Sequence, residues 1–207
     1  MLDRKELFAG RQLTMLDSLS QKSSFQAVSV ASKKLNLNIK AQDAKVYFLS
    51  IKDIKDQLNF TDTIAVAVST EIKGQLPATS LLLISKDNAL NIIASTIGAK
   101  SDRPISFFSF TPQMVLKILA ESFATSFAKN LSLTFPGEAD SLVSTPEVFF
   151  DNWSKNLETV FSRACSNIND YYVVFTLIFN TIINNNNCQG FQLYLLDRSV
   201  LQSLVRE

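Results

Sequence analysis

The sequence predicts an α/β fold in which two pseudo-symmetric halves share one mainly antiparallel sheet, with two long helices on one face. Three observations lead to this prediction. Segments rich in β-branched and aromatic residues, typical of strands, occur in both halves of the chain. A long helical periodicity precedes the strands of each half. The two halves also end in the same order of strand, polar loop and short amphipathic segment, which indicates an internal repeat.

The first half is predicted to begin with a helix over residues 13–37. Apolar residues there, among them Phe25, recur mostly at steps of three and four. Strands are predicted over residues 45–51, 63–72 and 78–85. A short helix over 86–98 should follow, and Gly98 should end it because glycine readily adopts the left-handed conformation of a helix terminus.

The second half is predicted to open with the most regular helix of the chain. Thr111 supplies an N-cap and Pro112 a first helical residue. Five apolar residues then follow at intervals of four, namely Val115, Leu119, Phe123, Phe127 and Leu131. The remaining predicted elements are an extended segment over 144–150, a helical or mixed segment over 152–166, strands over 171–181 and 191–196 around a turn at 184–187, and a closing helix over 197–206.

The repeat aligns residues 80–93, at the end of the first half, with residues 191–204, at the end of the second. In this alignment Leu82 meets Leu193. Similar halves can pair their strands into one sheet, and the long helices can cover one face of it. We therefore expect a single domain over residues 1–207, with halves of about 11–100 and 104–207.

Composition and charge exclude several classes of protein. The chain has 207 residues, of which 46% are hydrophobic and 19% charged, so it can bury a sizeable core. Its net charge of +1 provides no general attraction to nucleic acid. The absence of histidine excludes a Ser-His-Asp triad and a histidine-ligated zinc site within one chain. Cys165 and Cys188 are predicted to be reduced thiols in the core.

The distribution of apolar residues predicts a cytoplasmic protein without a membrane span. Charges are spread over residues 1–25, which lack the apolar stretch of a signal peptide. The longest apolar run, over 171–179, is about half as long as a membrane-spanning helix must be.

Several short segments occur in an order that is found in a known family. They are Val30-Ala31-Ser32, Ile72-Lys73-Gly74, the strand over 81–85, Ala120-Glu121, Ser144-Thr145-Pro146 and the strand over 190–196. In this order the chain resembles the CheC, CheX and FliY chemotaxis proteins, which are similar to the middle domain of the flagellar switch protein FliM. The resemblance covers residues 12–206.

This resemblance implies hydrolysis of the aspartyl phosphate of a CheY-type response regulator. The family's catalytic pattern places Asp or Ser, then Glu, then Asn on successive turns of one or both long helices. In such enzymes the Asn orients the attacking water and the Glu binds the regulator's phosphate-site Lys. The regulator itself supplies Mg²⁺, so no cofactor is expected in this chain.

The motif positions of this chain depart from the pattern. On the second long helix, Glu121 matches the Glu, but Ala124 stands at the Asn position and Lys117 at the leading position. On the first, Ser18 stands at the Glu position and Gln21 at the Asn position. Because alanine cannot orient a water molecule, we predict that the second-helix motif is lost.

Two interpretations remain open for the polar residues on these helices. Asp17 and Gln21 lie four residues apart and share a helix face, where they either form an active acid and amide pair or belong to an ordinary solvated face. Glu121 either contacts the regulator or forms an ion pair with Lys117, one turn earlier.

A run of aromatic residues is a candidate partner-binding patch. Phe107, Phe108 and Phe110 lie in a short linker before the second long helix. They either complete the core or form an exposed patch that binds another protein.

These observations predict a chemotaxis or flagellar-switch protein that acts by protein binding and has lost its phosphatase motif. Its partners would be a CheY-type response regulator or switch components, at the flagellar base or the chemoreceptor array. The alternative is an active CheY-phosphate phosphatase that uses Asp17 and Gln21, with Glu121. A structural role, in which the helices pack against neighbouring subunits, is the third possibility.

Overall fold

The computed structural model of the protein describes residues 10–50, 53–54, 64–74, 76–98, 105–135, 141–164 and 171–197. Four helices and seven strands lie within these ranges. The helices are α1 (Gly10–Leu35), α2 (Lys86–Ile97), α3 (Phe110–Thr134) and α4 (Trp153–Ala164). The strands are β1 (Ile39–Ser50), β2 (Ile64–Lys73), β3 (Ala78–Ser85), β4 (Leu142–Val143), β5 (Glu147–Asn152), β6 (Tyr171–Ile183) and β7 (Asn186–Asp197).

All seven strands belong to one antiparallel sheet. Its order is β1–β6–β7–β3–β2, with β4 and β5 in succession along the outer side of β2. Each half therefore places one strand beside the other half's hairpin, since β1 pairs with β6 and β5 pairs with β2. The central contact, between β3 and β7, joins the two halves. This symmetrical order confirms the predicted fold class.

The strand register shifts the alignment of the repeat by one position. Leu82 faces the long helices, whereas Leu193 lies on the opposite side of the sheet, so the predicted alignment of these two residues would exchange the two faces. A shift of one position places Leu81 on Leu193, and these residues pair with each other across β3 and β7. It also places Leu82 on Tyr194, and both face the helices.

The sheet separates two apolar cores. The larger lies between one face and α1, α2 and α3, and it includes the whole predicted stripe of α3 from Val115 to Leu131. The smaller lies on the other face, where α4 contributes Trp153, Leu157, Val160 and Phe161. Both long helices consequently lie on one face of the sheet, as predicted.

Several predicted boundaries shift. α3 begins at Phe110 with Ser109 in the N-cap position, so Thr111 is not the N-cap. β1 begins at Ile39 rather than at residue 45, because its polar first half continues the pairing with β6. α2 ends as predicted, since Gly98 has a φ of 64° and donates its N–H to the Ala94 carbonyl.

The hairpin between β6 and β7 is longer than predicted. Only Asn184 and Asn185 form its turn, with φ values of 51° and 65°. A two-residue turn with two positive φ values matches the twist of the flanking strands, so Asn186 and Asn187 remain paired in β7. The predicted closing helix lies outside the described residues, except that Asp197 ends β7.

The described residues also locate one of the two cysteines. Cys188 is a buried free thiol, as predicted, whereas Cys165 lies outside the described residues. Among the described helices, none is both long and apolar enough to cross a membrane.

Candidate functional site

The two helices that carry the motif positions contact each other on one face of the sheet. Asn130 of α3, which is buried, donates its Nδ2 to Gln26 Oε1 of α1 at 2.7 Å and to the Ser126 carbonyl at 2.8 Å. The hydrogen bond to Gln26 ties α1 and α3 together side by side. Any partner that contacts one helix over several turns will therefore lie close to the other.

Positions on the two helices correspond when the motif positions are aligned, so that Ser18 matches Glu121 and Gln21 matches Ala124. In this alignment seven buried positions of α1 coincide with seven buried positions of α3. They are Leu16, Leu19, Ser20, Ser23, Ser24, Ala27 and Val28 on α1, and Leu119, Ser122, Phe123, Ser126, Phe127, Asn130 and Leu131 on α3. The motif positions of the two helices can therefore be compared directly.

The two helices differ at one face. Ala124 has no exposed surface, and Ala120 and Ala128, one turn to either side, are also buried. The corresponding positions on α1 are all exposed; they are Asp17, Gln21 and Phe25. The chain thus covers this face on α3 with its own atoms and leaves it open on α1.

Glu121 lies on the surface of α3, three residues before Ala124. Because Ala124 is fully buried, the two positions cannot present side chains to the same partner. The predicted ion pair of Glu121 is not observed either, since Lys117 does not contact its carboxylate in the described part of the chain. The α3 motif position therefore has a carboxylate but no place for an exposed amide.

The acid and amide pair of α1 has the opposite environment. Asp17 and Gln21 are both exposed and lie one helical turn apart on the outer face. Ser18, at the Glu position of the motif, is half-buried. A protein that docks on α1 could reach both Asp17 and Gln21.

The aromatic run before α3 divides into a buried and an exposed part. Phe107 is only 7% exposed, and its ring stacks on Phe150 of β5 at a centroid distance of 5.0 Å. Phe108 and Phe110 are 82% and 78% exposed. A partner could therefore contact Phe108 and Phe110 directly, whereas Phe107 packs in the core.

Phe25 is a surface residue that the periodicity of the sequence misplaces. It belongs to the apolar repeat used to predict α1, yet it is 67% exposed. Serines take the core-facing positions instead, namely Ser20, Ser23 and Ser24. The helical spacing of these small residues, which continues through Ala27 and Ala31, is the signal that could have placed Phe25 outside.

Neither a reactive thiol nor a metal centre is found in the described structure. Burial raises the pKa of the Cys188 thiol, and the hydrogen bond with Asn91 only partly opposes this effect. The thiol therefore stays protonated at neutral pH and is a poor nucleophile. Within the described ranges, no group of His, Cys, Asp and Glu could hold a metal ion.

A polar cavity of about 320 Å³ lies on the other face of the sheet. Its walls include the Glu71 carboxylate and the Lys73 ammonium, which are 3.4 Å apart, and Val160 of α4. Since α4 and the long helices lie on opposite faces of the sheet, this cavity is separate from the motif positions.

Comparison with solved structures identifies proteins that have this fold. No family model matches the chain, and no curated protein matches it. FliY from Thermotoga maritima superposes with a TM-score of 0.69 and 16% identity over 97% of this chain and 96% of that one. The FliM middle domain from H. pylori has a TM-score of 0.57 and 12% identity, over 96% of this chain and 99% of that one. CheX from Desulfovibrio desulfuricans has a TM-score of 0.56 and 12% identity, over 87% of this chain and 99% of that one.

The chain has the fold of FliY, CheX and the FliM middle domain. The FliY likeness extends over nearly the full length of both chains, so it includes both halves of the sheet and both long helices. The resemblance inferred from the order of short segments is thereby confirmed for the fold.

Proposed function

We propose that this protein acts in chemotaxis or in the flagellar switch by binding other proteins, and that it does not hydrolyse aspartyl phosphate through its α3 motif. The complete burial of Ala124 carries this proposal. The fold supports the cellular role, since structures with this fold include a chemotaxis protein CheX and the FliM middle domain. The protein would act in the cytoplasm, at the flagellar base or the chemoreceptor array.

The phosphatase chemistry explains why Ala124 matters. A water molecule must be held in line with the phosphorus atom, and this requires a side chain that both donates and accepts hydrogen bonds. The Ala124 methyl group does neither, and its burial also keeps a docked regulator away from this position. Glu121 alone could contact a partner, but it could not align the water.

Binding partners of two kinds are proposed. One is a CheY-type response regulator, and the other is a component of the flagellar switch. The FliM of H. pylori, whose structure in complex with FliG has this fold, supports the second kind. Packing of α1 and α3 against neighbouring subunits would be a structural form of the same binding role.

Phe108 and Phe110 are proposed as one contact surface for such a partner. Both rings are largely exposed, and Phe108 packs edge-on against the ring of Phe150 at a centroid distance of 6.4 Å. Exposed aromatic side chains on a rigid support are favourable anchors for protein binding.

An active phosphatase is the second candidate function, and the exposure of the α1 pair favours it. Asp17 and Gln21 are accessible on one face. Glutamine has the same donor and acceptor groups as asparagine, on a side chain one methylene longer. A docked regulator would bring its own Mg²⁺, so the chain would need no metal site.

One experiment distinguishes the two functions. The protein is mixed with a phosphorylated CheY-type regulator, phosphate release is followed, and binding to the same regulator and to FliG is measured by titration calorimetry. We expect binding to at least one of them without acceleration of phosphate release. Acceleration that Gln21→Ala abolishes, but that the control Asn38→Ala retains, would establish the phosphatase instead.

A further inference from the structure

The outer face of α1 carries a large apolar side chain that lies mostly in solvent. Phe25 is 67% exposed in the middle of the helix, and in the described part of the chain its ring packs against no other ring. Exposure of a phenyl ring to water is unfavourable. Burial of this ring by a partner would therefore stabilise the complex between the two proteins.

Positive charge outnumbers negative charge around Phe25, since two lysines share its face with a single carboxylate, Asp17, two turns before the ring. The helix from Gly10 to Leu35 contains four basic residues and one acidic residue, a net charge of +3, whereas the whole chain has a net charge of only +1. Lys22 lies one turn before Phe25 and Lys33 two turns after it, so both share its face. Both are exposed, and neither forms an ion pair among the described residues.

The symmetry of the fold shows that this face is the one the chain leaves open. The position of α3 that corresponds to Phe25 is Ala128, which is 3% exposed. On α3 the protein covers this position itself and places a small residue there. On α1 the same position is uncovered and carries a ring that extends into solvent.

We propose that the face of α1 formed by Lys22, Phe25, Ser29 and Lys33 docks an acidic protein surface that offers an apolar pocket for the Phe25 ring. This inference rests on the proposed binding function and names the chemistry of the partner. The lysines attract acidic side chains and accelerate association, while the ring supplies the buried anchor.

The charge of this face argues against two other occupants. A second copy of the chain would bring two faces of the same positive sign together, which is unfavourable. Double-stranded nucleic acid would satisfy the lysines, but its phosphate backbone offers no apolar pocket for a phenyl ring.

The test uses the full-length protein and measures its affinity for a purified CheY-type regulator and for purified FliG, at low and at moderate salt. For whichever of the two proteins binds wild type through this face, Phe25→Ala should weaken the affinity by about 10- to 30-fold. The double variant Lys22→Glu with Lys33→Glu should slow association by about tenfold and reduce its salt dependence. Matched controls are Ile182→Ala, which removes another exposed apolar side chain, and Lys40→Glu with Lys86→Glu, which reverses two exposed lysines outside both long helices.

The outcomes separate this proposal from the proposed function. Loss of affinity in the α1 variants, with unchanged controls and wild-type unfolding curves, supports the docking face. If a partner binds Phe25→Ala as tightly as wild type, the docking face is wrong and the binding function stands. If neither protein binds wild type, both the docking face and the proposed binding function are wrong. Preferential binding of an oligonucleotide, or dimerisation through Phe25, would show that this face does not bind an acidic protein.

Discussion

At the scale of single residues, Ala124 shows how the burial of one methyl group limits the chemistry of a helix. Its side chain has no contact with solvent, and its neighbours at successive turns, Ala120 and Ala128, are equally small. Close packing of this kind leaves no volume for a longer side chain. An asparagine at this position would have to displace neighbouring atoms and bury an amide.

We therefore predict that Ala124→Asn destabilises the protein and does not create phosphatase activity. Overpacking of a buried position costs about 1–3 kcal/mol, and the buried amide adds to this cost when it lacks partners. Urea denaturation measures the change in the free energy of unfolding. Thr125→Asn, at the exposed neighbouring position, is the control and should change stability by less than about 0.5 kcal/mol. A fully stable Ala124→Asn variant would contradict the packing argument.

Tyr194 gives the molecule a pH dependence in the alkaline range. Its hydroxyl donates to the Phe123 carbonyl at 3.0 Å, and its ring stacks on Phe127 at 3.9 Å. Complete burial raises the pKa of Tyr194 well above the ordinary tyrosine value of about 10. Above that ordinary value the unfolded chain releases this proton while the folded chain retains it, so stability falls as the pH rises.

We predict that Tyr194→Phe makes the loss of stability above about pH 10 shallower. At neutral pH the same variant should lose about 0.5–1.5 kcal/mol with the hydrogen bond to Phe123. Urea denaturation at several pH values measures both effects. Tyr47→Phe, at a half-buried position of β1, is the control. Equal alkaline slopes for wild type and Tyr194→Phe would show that this hydroxyl is not the group responsible.

At the scale of elements, the pairing of β6 with β7 depends on a glycine beneath an aromatic ring. Gly190 pairs with Phe179, and the Phe179 ring lies over the space that a side chain at Gly190 would occupy. Phe179 is itself fully buried and packs against Phe123 of α3 at 5.1 Å. The ring therefore joins the sheet to the helix layer above it.

We predict that Gly190→Ala destabilises the protein, because its Cβ would overlap the Phe179 ring, which has no free space to move into. A loss of about 1–3 kcal/mol is expected from thermal or urea unfolding. Gly10→Ala is a matched control, since an added Cβ there meets no atom within 4 Å. Equal stability of the two variants would contradict this role of the glycine.

At the scale of the whole molecule, neither half can complete its sheet alone. β1 of the first half obtains its only described partner, β6, from the second half, and β5 of the second half pairs with β2 of the first. Both long helices also contribute to one apolar core. Separation of the halves would expose strand edges and much of that core to water.

We predict that fragments 1–98 and 105–207 do not fold separately and that the full chain unfolds in one cooperative transition. Circular dichroism and urea unfolding of each fragment, of their mixture and of the intact chain measure this. The mixture should regain structure that neither fragment has alone. A cooperative transition in an isolated fragment would show that the halves are independent domains.

The candidate site was only partly predictable from the sequence. The motif spacing alone shows that Ser18, Gln21, Glu121 and Ala124 stand at the motif positions. The spacing does not say that Ala124 is buried and Gln21 exposed, because the alignment of the two helices puts both positions on equivalent turns. Periodicity groups Phe25 with the core for a related reason. It considers only the spacing of apolar residues, so it cannot show that serines occupy the buried positions of this helix and leave Phe25 outside.

The sequence by itself determined the order of elements, the regular stripe of α3 and the existence of two related halves, because these depend on periodicity and local turn preferences. Only the tertiary structure decided the register of the halves, where a shift of one position exchanges the faces of a strand. It also decided which face of each long helix stays open. The burial of Ala124 and the exposure of Phe25 depend on contacts between segments that are distant in the sequence. Local sequence patterns do not specify such contacts.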